Sequence, residues 1–311
     1  MNLFLAPIQG MTIAHYRNTY AKIFGGIDAY YAPFIATCEK SKSSPVLFKD
    51  LIKEKNDASI KVIPQLLSNN GEDFKFFAQT IADMGYSEIN WNIGCPYPMV
   101  TKKKKGSGIL PHTDMIRKVL ETACSSDSYN ITVKMRLGFV DVEEGLAVMD
   151  VLNEYPLGGV IIHARTGKQM YTGEVDLKAF ESLANSCRHE VTYNGDIYTY
   201  DDYIRISSRL LNIQNYMLGR GALRDPFLPA LIKGKVTPNE SKMNILRHFH
   251  DEIVDNFRNT LSGEKHLCDR MKGFWEYMSV YTDPDGKLYK KIQKCHSYAV
   301  YSDLVDQIFD I

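Results

Sequence analysis

The chain has 311 residues, and its 37 lysine and arginine residues balance its 37 aspartate and glutamate residues, so the formal net charge is zero. Hydrophobic residues make up 44% and charged residues 24% of the sequence, a composition that excludes a disordered chain and permits a large core. The zero net charge excludes a globally basic protein that coats nucleic acid, although it allows a local basic patch. The length allows two domains of roughly 150 residues, or one larger α/β barrel with an addition.

Cysteine spacing and hydropathy indicate the compartment. The six cysteines are spread along the chain and form no CxxC pair, which argues against a zinc ribbon or a thioredoxin-type motif, and no metal site is expected. The first residues lack the basic flank of a signal peptide, and no apolar run reaches the length of a transmembrane helix. We therefore expect a cytoplasmic monomer with no membrane partner.

Short runs rich in β-branched and aromatic residues recur as far as about residue 220, and each is followed by a turn and a helix-like stretch. Their starts lie roughly 25 to 45 residues apart, which is the length of one strand-plus-helix unit. The runs are Leu3–Ile8, Ala29–Ile35, Ile60–Leu67, Glu88–Ile93, Ile131–Leu137, Val160–Arg165, Val191–Asp196 and Tyr216–Arg220.

Helical patterns fill the intervals between these runs. The segment Glu72–Met84 places Phe74, Phe77 and Ile81 on one face, and Gly85 is a helix stop. Eight strand-plus-helix units in ~235 residues predict a (β/α)₈ TIM barrel. A doubly wound sheet is the alternative, but it requires a GxGxxG turn after the first strand, and the sequence has none there.

The rhythm of strands and helices stops after about residue 235. Ser241–Leu261 carries apolar residues at helical spacing, a second helix is predicted over Lys265–Tyr281, and Asp283–Gly286 forms a turn before two shorter helices. The segment Ile232–Glu240, which contains glycine and proline, marks the boundary. We thus predict a barrel domain over residues 1–235 and a small all-helical domain over residues 236–311.

Polar residues interrupt the apolar runs near the ends of most predicted strands. Because the active site of a barrel lies at the C-terminal ends of its strands, we expect these side chains to converge on one mouth. They are Gln9, Gln65, Asn90, Asn92, Lys134, Arg136, His163, Arg165, Asn194, Asp196 and Arg220. In the last two loops, Gly195, Gly219 and Gly221 flank polar residues, and together with Arg220 they predict a phosphate site. Tight packing is the alternative explanation of these glycines.

Two residues at this mouth suggest chemistry. Lys134 lies within an apolar strand, where a lysine is costly to bury unless it meets an anion or a polarised ring. It fits a structural ion pair, a Schiff-base lysine, or a lysine that stabilises negative charge on a reduced flavin. Cys95 follows the fourth strand in a loop at the barrel mouth, where a cysteine can act as a nucleophile or as an acid. A thiol with an ordinary pKa of about 8.5 can donate a proton at neutral pH. The lysines at 102–105 indicate either a solvated loop or a contact with phosphates.

Taken together, the motifs resemble those of the tRNA-dihydrouridine synthases. NxGCP, the lysine-bearing strand after it and HARTxxQxYxG are highly specific in combination, and the helical tail has the right place and size. The segments that carry the resemblance are Ala6–Thr12, Pro64–Leu66, Asn92–Pro96, Val133–Gly138, His163–Gly173, Asn194–Asp196 and Gly219–Ala222.

The resemblance implies an FMN enzyme that reduces uridine to 5,6-dihydrouridine in tRNA, with NADPH as reductant. It implies a hydride from flavin N5 to uracil C6 and a proton from Cys95 to C5. Asn92 and Arg165 are expected at the substrate nucleotide. The lysines Lys287, Lys290, Lys291 and Lys294 lie at spacings that share one helical face, and we expect them to bind tRNA. The residues expected at FMN are Pro7, Ile8, Gln9, Gln65, Lys134, His163, Asn194, Gly195, Asp196, Gly219 and Arg220.

The sequence departs from the family pattern at two places, and three other functions are compatible with parts of it. Ile13 stands where the family usually has an acidic residue, and Gly106–Gly108 stands where it often has alanines. An FMN oxidoreductase of a small molecule, of the dihydroorotate or enoate type, would share the phosphate loops but would not need a basic tail. An aldolase using Lys134 would be colourless, and a non-catalytic RNA-binding protein would not need the polar residues at the barrel mouth.

Overall fold

The computed structural model describes residues 1–235, 241–261 and 263–309, and these contain ten parallel strands in one sheet. Two pairs of strands are the halves of interrupted strands, so the sheet has eight positions. The strands are β1 (Asn2–Leu5), β2 (Ala29–Tyr31), β3 (Ile35–Ala36), β4 (Val62–Ile63), β5 (Gln65–Leu67), β6 (Glu88–Ile93), β7 (Asn130–Arg136), β8 (Gly159–His163), β9 (Val191–Asn194) and β10 (Asn215–Leu218).

Strand pairing closes the sheet into a barrel. β1 pairs with both β10 and β2, and β5 to β10 pair in sequence order. β2 pairs with β4 while β3 pairs with β5, so the two interrupted strands lie side by side and complete the ring. The predicted (β/α)₈ barrel is confirmed.

Two prolines explain the interruptions. Pro33 lies between β2 and β3, and Pro64 lies between β4 and β5. Proline has no N–H to donate to the ladder, so each strand is broken at that point. The pairing continues around Pro64, whose carbonyl accepts the N–H of Asn90 at 2.8 Å.

Helices cover the outside of the barrel between its strands. In α2, Asn70 caps the N-terminus by accepting the N–H of Asp73 at 2.9 Å, and the helix stops before Gly85, whose φ is +89°, as predicted. Short 3₁₀ segments at Lys40–Lys42, Pro45–Phe48 and Lys53–Lys55 connect β3 to β4. The helices as far as the tail are α1 (Ala14–Ile23), α2 (Gly71–Asp83), α3 (Pro98–Thr101), α4 (Thr113–Ala123), α5 (Val142–Leu152), α6 (Leu177–Ser186), α7 (Tyr200–Arg209), α8 (Arg220–Arg224) and α9 (Leu228–Ile232).

The tail is helical, as predicted, and it packs directly on the barrel. Phe249 lies among the rings of Tyr16, Tyr20 and Phe24 on α1, with centroids between 5.0 and 6.3 Å apart. The tail and the barrel therefore share one hydrophobic core. The predicted boundary falls largely on residues 236–240, outside the described residues, and the division into two domains stays a prediction. The tail helices are α10 (Lys242–Arg258), α11 (Glu264–Thr282), α12 (Lys287–Ile292) and α13 (Tyr298–Phe309).

The N-terminus of α1 is capped from outside the helix. Ile13 occupies the cap position and has no side-chain acceptor, but Asp50 accepts the N–H of Ala14 at 2.7 Å. Asp50 also pairs with the buried Arg17 at 2.8 Å, and Arg17 donates to the carbonyl of Thr12 at 2.7 Å. Asp50 thus supplies the cap that Ile13 cannot supply, and it fixes the loop that follows β1.

Candidate active site

A cavity of about 660 Å³ opens at the C-terminal ends of the strands. Side chains from β6, β7, β8 and β9 and from the loops after β1 and β10 meet in it, so the structure brings together most of the residues that the sequence singles out. Those on its wall are Pro7, Ile8, Gln9, Asn92, Cys95, Lys134, His163, Asn194, Gly195, Asp196, Gly219 and Arg220.

Some predicted residues lie away from the cavity wall. Gln65 is buried behind Asn92, and Arg165 is buried behind Asp196. The four tail lysines are exposed, but they do not all share one helical face as expected. Lys287, Lys290 and Lys291 lie on α12, whereas Lys294 lies on the turn after it, because the helix ends at Ile292. Their contacts with flavin, uracil or tRNA stay predictions.

A row of amide side chains positions the backbone at Cys95. The Asn92 Oδ1 accepts the N–H groups of Gly94 and Cys95 at 3.0 and 2.9 Å. The Asn92 Nδ2 donates to Gln65 Oε1 at 2.8 Å, and Gln65 Nε2 donates to Asn90 Oδ1 at 2.7 Å. Because these amides stand on neighbouring barrel strands, the start of the cysteine loop is held rigidly against the barrel.

The Cys95 side chain reaches the cavity but is otherwise enclosed. Its residue is 9% exposed, and burial raises the pKa of its thiol, outweighing the opposite effects of the Tyr97 backbone and of Arg136. The thiol is therefore protonated at neutral pH and can act as a proton donor. The cysteine loop returns to the same point, since the N–H and Oγ of Ser107 donate to the Cys95 carbonyl at 2.9 and 3.1 Å.

The glycine at 106 is required by this return of the loop. Gly106 has a φ of +57°, which favours glycine. A Cβ at this position would lie 2.5 Å from the carbonyl oxygen of Cys95. The segment that departs from the family pattern is therefore packed against the backbone of the cysteine itself.

Lys134 is held by an amide rather than by a carboxylate. Its Nζ donates to Asn194 Oδ1 at 2.8 Å, and Asn194 Nδ2 donates to the Met217 carbonyl at 2.8 Å. Among the described residues no ion pair includes Lys134, so the ion-pair interpretation has no support. Burial, and then the charge of Arg136, lower the pKa of Lys134 to about 7. Such an amine takes up a proton readily beside a ligand with negative charge.

His163 carries a polar atom without a partner. Its Nδ1 is buried and has no hydrogen bond among the described residues. Burial, and then the nearby charges of Arg136 and Lys134, hold the pKa of His163 far below its ordinary value, so the ring is neutral at pH 7. Leaving a buried polar atom unpaired costs about 1–3 kcal/mol, so this nitrogen suits a ligand that hydrogen-bonds to it.

Asp196 organises the arginines at one end of the cavity. It accepts from Arg165 Nη1 at 2.9 Å and from Arg220 Nη2 at 3.1 Å. Burial alone would raise the pKa of Asp196, but the hydrogen bond and charge of Arg165 and the charge of Arg220 hold it below its ordinary value. Arg220 also lies over the rings of Tyr171 and Tyr198, at 4.7 and 5.5 Å. These contacts fix the guanidinium of Arg220 on the cavity wall.

The positive charge at this end is larger than the sequence predicts. Arg224 also lines the cavity and lies 4.6 Å from the ring of Tyr198. In contrast, a Cβ on Gly221 would lie 1.9 Å from the carbonyl oxygen of Ile197, so tight packing explains that glycine. The case for an anion site therefore depends on Arg220 and Arg224 rather than on Gly221.

Sequence reasoning missed the part of the wall that α11 supplies. Gly273 was a usable signal, because an isolated glycine inside a helical pattern often marks a close approach, and a Cβ there would lie 3.4 Å from Met11 Sδ. The barrel side of the wall includes Arg136, as expected of a polar strand end, and also Tyr171 and Tyr198, which were not predicted as site residues. The tail residues on the wall are Asp269, Arg270, Gly273, Glu276 and Tyr277.

The closed barrel and the polar cavity at its C-terminal rim define the class of protein, a TIM-barrel enzyme. Within that class, a family model described as dihydrouridine synthase (Dus) matches residues 4–297. The chain belongs to the dihydrouridine synthase family.

Individual relatives and solved structures are similar to the chain. A tRNA-dihydrouridine(16) synthase from Neisseria meningitidis serogroup B is 29% identical over 237 residues, covering 74% of this chain and 71% of the relative. A protein of the same name from serogroup A is 26% identical over 300 residues, covering 94% and 90%. Morphinone reductase in complex with tetrahydroNAD superimposes with a TM-score of 0.54 at 10% identity, covering 78% of this chain and 90% of that one, which supports the barrel fold.

The described part of the chain has no helix that is both long and apolar enough to span a bilayer. The same residues contain no cluster of three or more histidine, cysteine, aspartate or glutamate side chains arranged for a metal ion.

Proposed function

We propose that this protein reduces uridine to 5,6-dihydrouridine in tRNA, with FMN as its cofactor and NADPH as its reductant. The observation that carries the proposal is the meeting in one cavity of the protonated Cys95 thiol, Lys134 and the unpartnered nitrogen of His163. Membership of the dihydrouridine synthase family and the names of the Neisseria relatives support tRNA as substrate. A cytoplasmic location and a monomeric state stay predictions.

The residues of the cavity fit a flavin that carries a phosphate. Lys134 would stabilise negative charge on the flavin ring, and His163 Nδ1 would gain the partner that it lacks. Arg220 and Arg224 would hold the phosphate. When bound, FMN supplies the hydride that adds to C6 of uracil. The remaining expected contacts, with the segment 7–9, Gln65 and the 194–196 loop, belong to the same proposal.

Cys95 would act as the general acid. A hydride added at C6 leaves negative charge along C5, C4 and O4 of the uracil, so C5 must receive a proton. The raised pKa of Cys95 keeps that proton on the sulfur at neutral pH. The amide row that starts at Asn92 fixes the cysteine backbone, and one N–H of the Asn92 amide remains for the base. The uridine must leave its stack to reach the thiol, which is least costly in a loop of the tRNA.

The proposed function is tested with purified protein and unmodified tRNA. We expect a yellow protein with flavin absorbance, oxidation of NADPH that is strongly stimulated by the tRNA, and dihydrouridine in the digested product by mass spectrometry. tRNA that already contains dihydrouridine is the matched control and should stimulate less. A colourless protein, or flavin-dependent NADPH oxidation without any dihydrouridine formed, would contradict the proposal, and the second result would favour the small-molecule oxidoreductase.

A further inference from the structure

The segment that follows Cys95 carries exposed apolar and basic side chains beside the cavity mouth. Tyr97 lines the cavity and yet is 50% exposed, and Met99 is 77% exposed. Lys102, Lys103 and Lys104 come directly after α3 and are exposed as well. This segment, residues 97–104, is named the cysteine-loop rim.

The cysteine-loop rim stands on an anchored backbone. The Lys103 carbonyl accepts from Asn69 Nδ2 at 3.0 Å, and Lys105 Nζ, immediately after the rim, donates to the Thr37 carbonyl at 3.0 Å. A Cβ on Gly108 would lie 2.4 Å from the Thr101 carbonyl oxygen, so the loop packs tightly on itself. The rim side chains are therefore presented from a fixed position.

The apolar side chains of the rim do not stand alone. The ring of Tyr97 lies 6.5 Å from that of Tyr171, which is itself 42% exposed. A single exposed hydrophobic residue is ordinary, but a group at the mouth of a cavity marks a binding surface. Two half-exposed aromatic rings provide flat apolar area at the entrance, and the exposed thioether of Met99 follows two residues along the same loop.

The charges of the rim identify the kind of partner. Among the described residues, no carboxylate lies within ion-pair distance of Lys102, Lys103 or Lys104, whereas exposed lysines such as Lys22 and Lys61 pair with a glutamate. Unpaired cations next to exposed aromatic rings are the combination that binds a single nucleic-acid strand, with lysines on phosphates and rings on base faces. The partner is therefore a polyanion with flat apolar faces.

We propose that the cysteine-loop rim is an RNA-contact surface. Tyr97 stacks on a base beside the everted uridine, Met99 packs against the neighbouring base as an apolar wedge, and Lys102 and Lys103 bind the phosphates of that strand. This inference rests on the proposed function and deepens it, because it assigns RNA binding to a barrel loop in addition to the tail lysines. An apolar side chain that takes the place of a neighbouring base in the stack makes base eversion less costly.

Two rim variants and two matched controls test this surface. The variants are Met99→Ala and the double substitution Lys102→Gln with Lys103→Gln. Leu211→Ala is the control for Met99→Ala, because Leu211 is 76% exposed in the connection between α7 and β10, at the opposite end of the barrel. Lys55→Gln with Lys118→Gln is the control for the lysines, because both are exposed and the change in net charge is the same.

The measurements are equilibrium binding of unmodified tRNA over a series of salt concentrations and the KM and kcat of dihydrouridine formation. We expect the double lysine variant to lower the slope of log affinity against log salt by roughly 0.7–0.9 per lysine. We expect Met99→Ala to lower kcat/KM for tRNA roughly fivefold or more, because it removes an apolar wedge, with the salt slope retained because it removes no charge. FMN content and NADPH-driven flavin reduction should match the wild type in both variants.

Equal binding, salt slope and kcat/KM in the rim variants and their controls would overturn the proposal. If the wild type formed dihydrouridine in that experiment, the proposed function would stand without the rim. Binding is measured without turnover, so it tests the rim even if the wild type forms no dihydrouridine. A wild type that forms no dihydrouridine would overturn the proposed function, whatever the binding measurements show for the rim.

Discussion

At the scale of single residues, burial sets the protonation of three groups in the cavity. It raises the pKa of Cys95, lowers that of Lys134 and keeps His163 neutral. The cavity thus holds a thiol with its proton, an amine that gains or loses one near neutral pH, and a neutral imidazole. Desolvation is the main cause of all three states. The neighbouring charge of Arg136 adds to it at Lys134 and His163 but opposes it at Cys95. The states suit proton donation on one side and stabilisation of negative charge on the other.

Replacing Cys95 with alanine should remove the proton donor and leave the flavin site intact. We expect Cys95→Ala to keep its FMN, and we expect tRNA to reoxidise its reduced flavin roughly 10²–10⁴-fold more slowly than in the wild type. Cys124→Ala is the control, since Cys124 lies at the end of α4 and is not on the cavity wall. Normal single-turnover reduction of tRNA by Cys95→Ala, followed by flavin absorbance, would show that another group donates the proton.

The lowered pKa of Lys134 predicts how stability depends on pH. The pKa is about 7 in the folded protein and about 10.4 in the unfolded chain. Between these values the unfolded chain binds more protons, so the free energy of unfolding rises with pH. In Lys134→Met this contribution is absent. Urea denaturation of flavin-free protein at pH 7, 8 and 9 should therefore give a steeper rise for the wild type, and parallel curves would contradict the assigned pKa.

At the scale of elements, the sequence predicts the strands well and their ends poorly. Glu88–Ile93 is confirmed residue for residue as β6, but the predicted strands that become β8, β9 and β10 run past the observed ends at His163, Asn194 and Leu218. Beyond those points the backbone turns into the site, as where Arg165 N–H donates to the His163 carbonyl at 2.7 Å. The amino-acid composition does not reveal where the backbone stops pairing with the neighbouring strand, because apolar and polar residues continue past that point.

The cap of α1 is an element-scale feature that a mutation can isolate. Asp50→Ala removes the acceptor of Ala14 N–H and leaves the buried Arg17 without its carboxylate, so we expect the free energy of unfolding to fall by about 3 kcal/mol.

Urea denaturation measures both effects of the Asp50 substitution, and Asp303→Ala on the exposed face of α13 is the control. A loss of less than about 0.5 kcal/mol, the size expected of an ordinary surface substitution, would show that Asp50 is not the cap that stabilises this loop.

At the scale of the whole molecule, the cavity is completed by residues from both ends of the chain. Met11 follows the first strand and Gly273 lies in the tail, yet a Cβ on Gly273 would be 3.4 Å from Met11 Sδ. The sequence predicts the tail helices but not this wall, because its position depends on the packing of α10 against α1 and of α11 against α8. Apart from the isolated glycine at 273, such long-range packing leaves no local pattern, whereas the polar strand ends on the barrel side do.

The tail lysines supply a test of how the whole molecule binds RNA. We expect replacement of Lys287, Lys290, Lys291 and Lys294 by glutamine to weaken binding of unmodified tRNA and to flatten its salt dependence, because each lysine that no longer neutralises a phosphate lowers the slope by roughly 0.7–0.9. FMN content should not change. The control variant replaces four exposed lysines of the barrel by glutamine. An unchanged tRNA affinity in the tail variant would remove α12 from the RNA-binding surface.

The measurement that tests the central claim most directly is a map of dihydrouridine in the tRNA of cells that lack this protein. We predict that dihydrouridine disappears from at least one tRNA position, that the wild-type protein restores it, and that Cys95→Ala does not. An unchanged dihydrouridine map in the deleted strain, or full restoration by Cys95→Ala, would contradict the proposed function and mechanism.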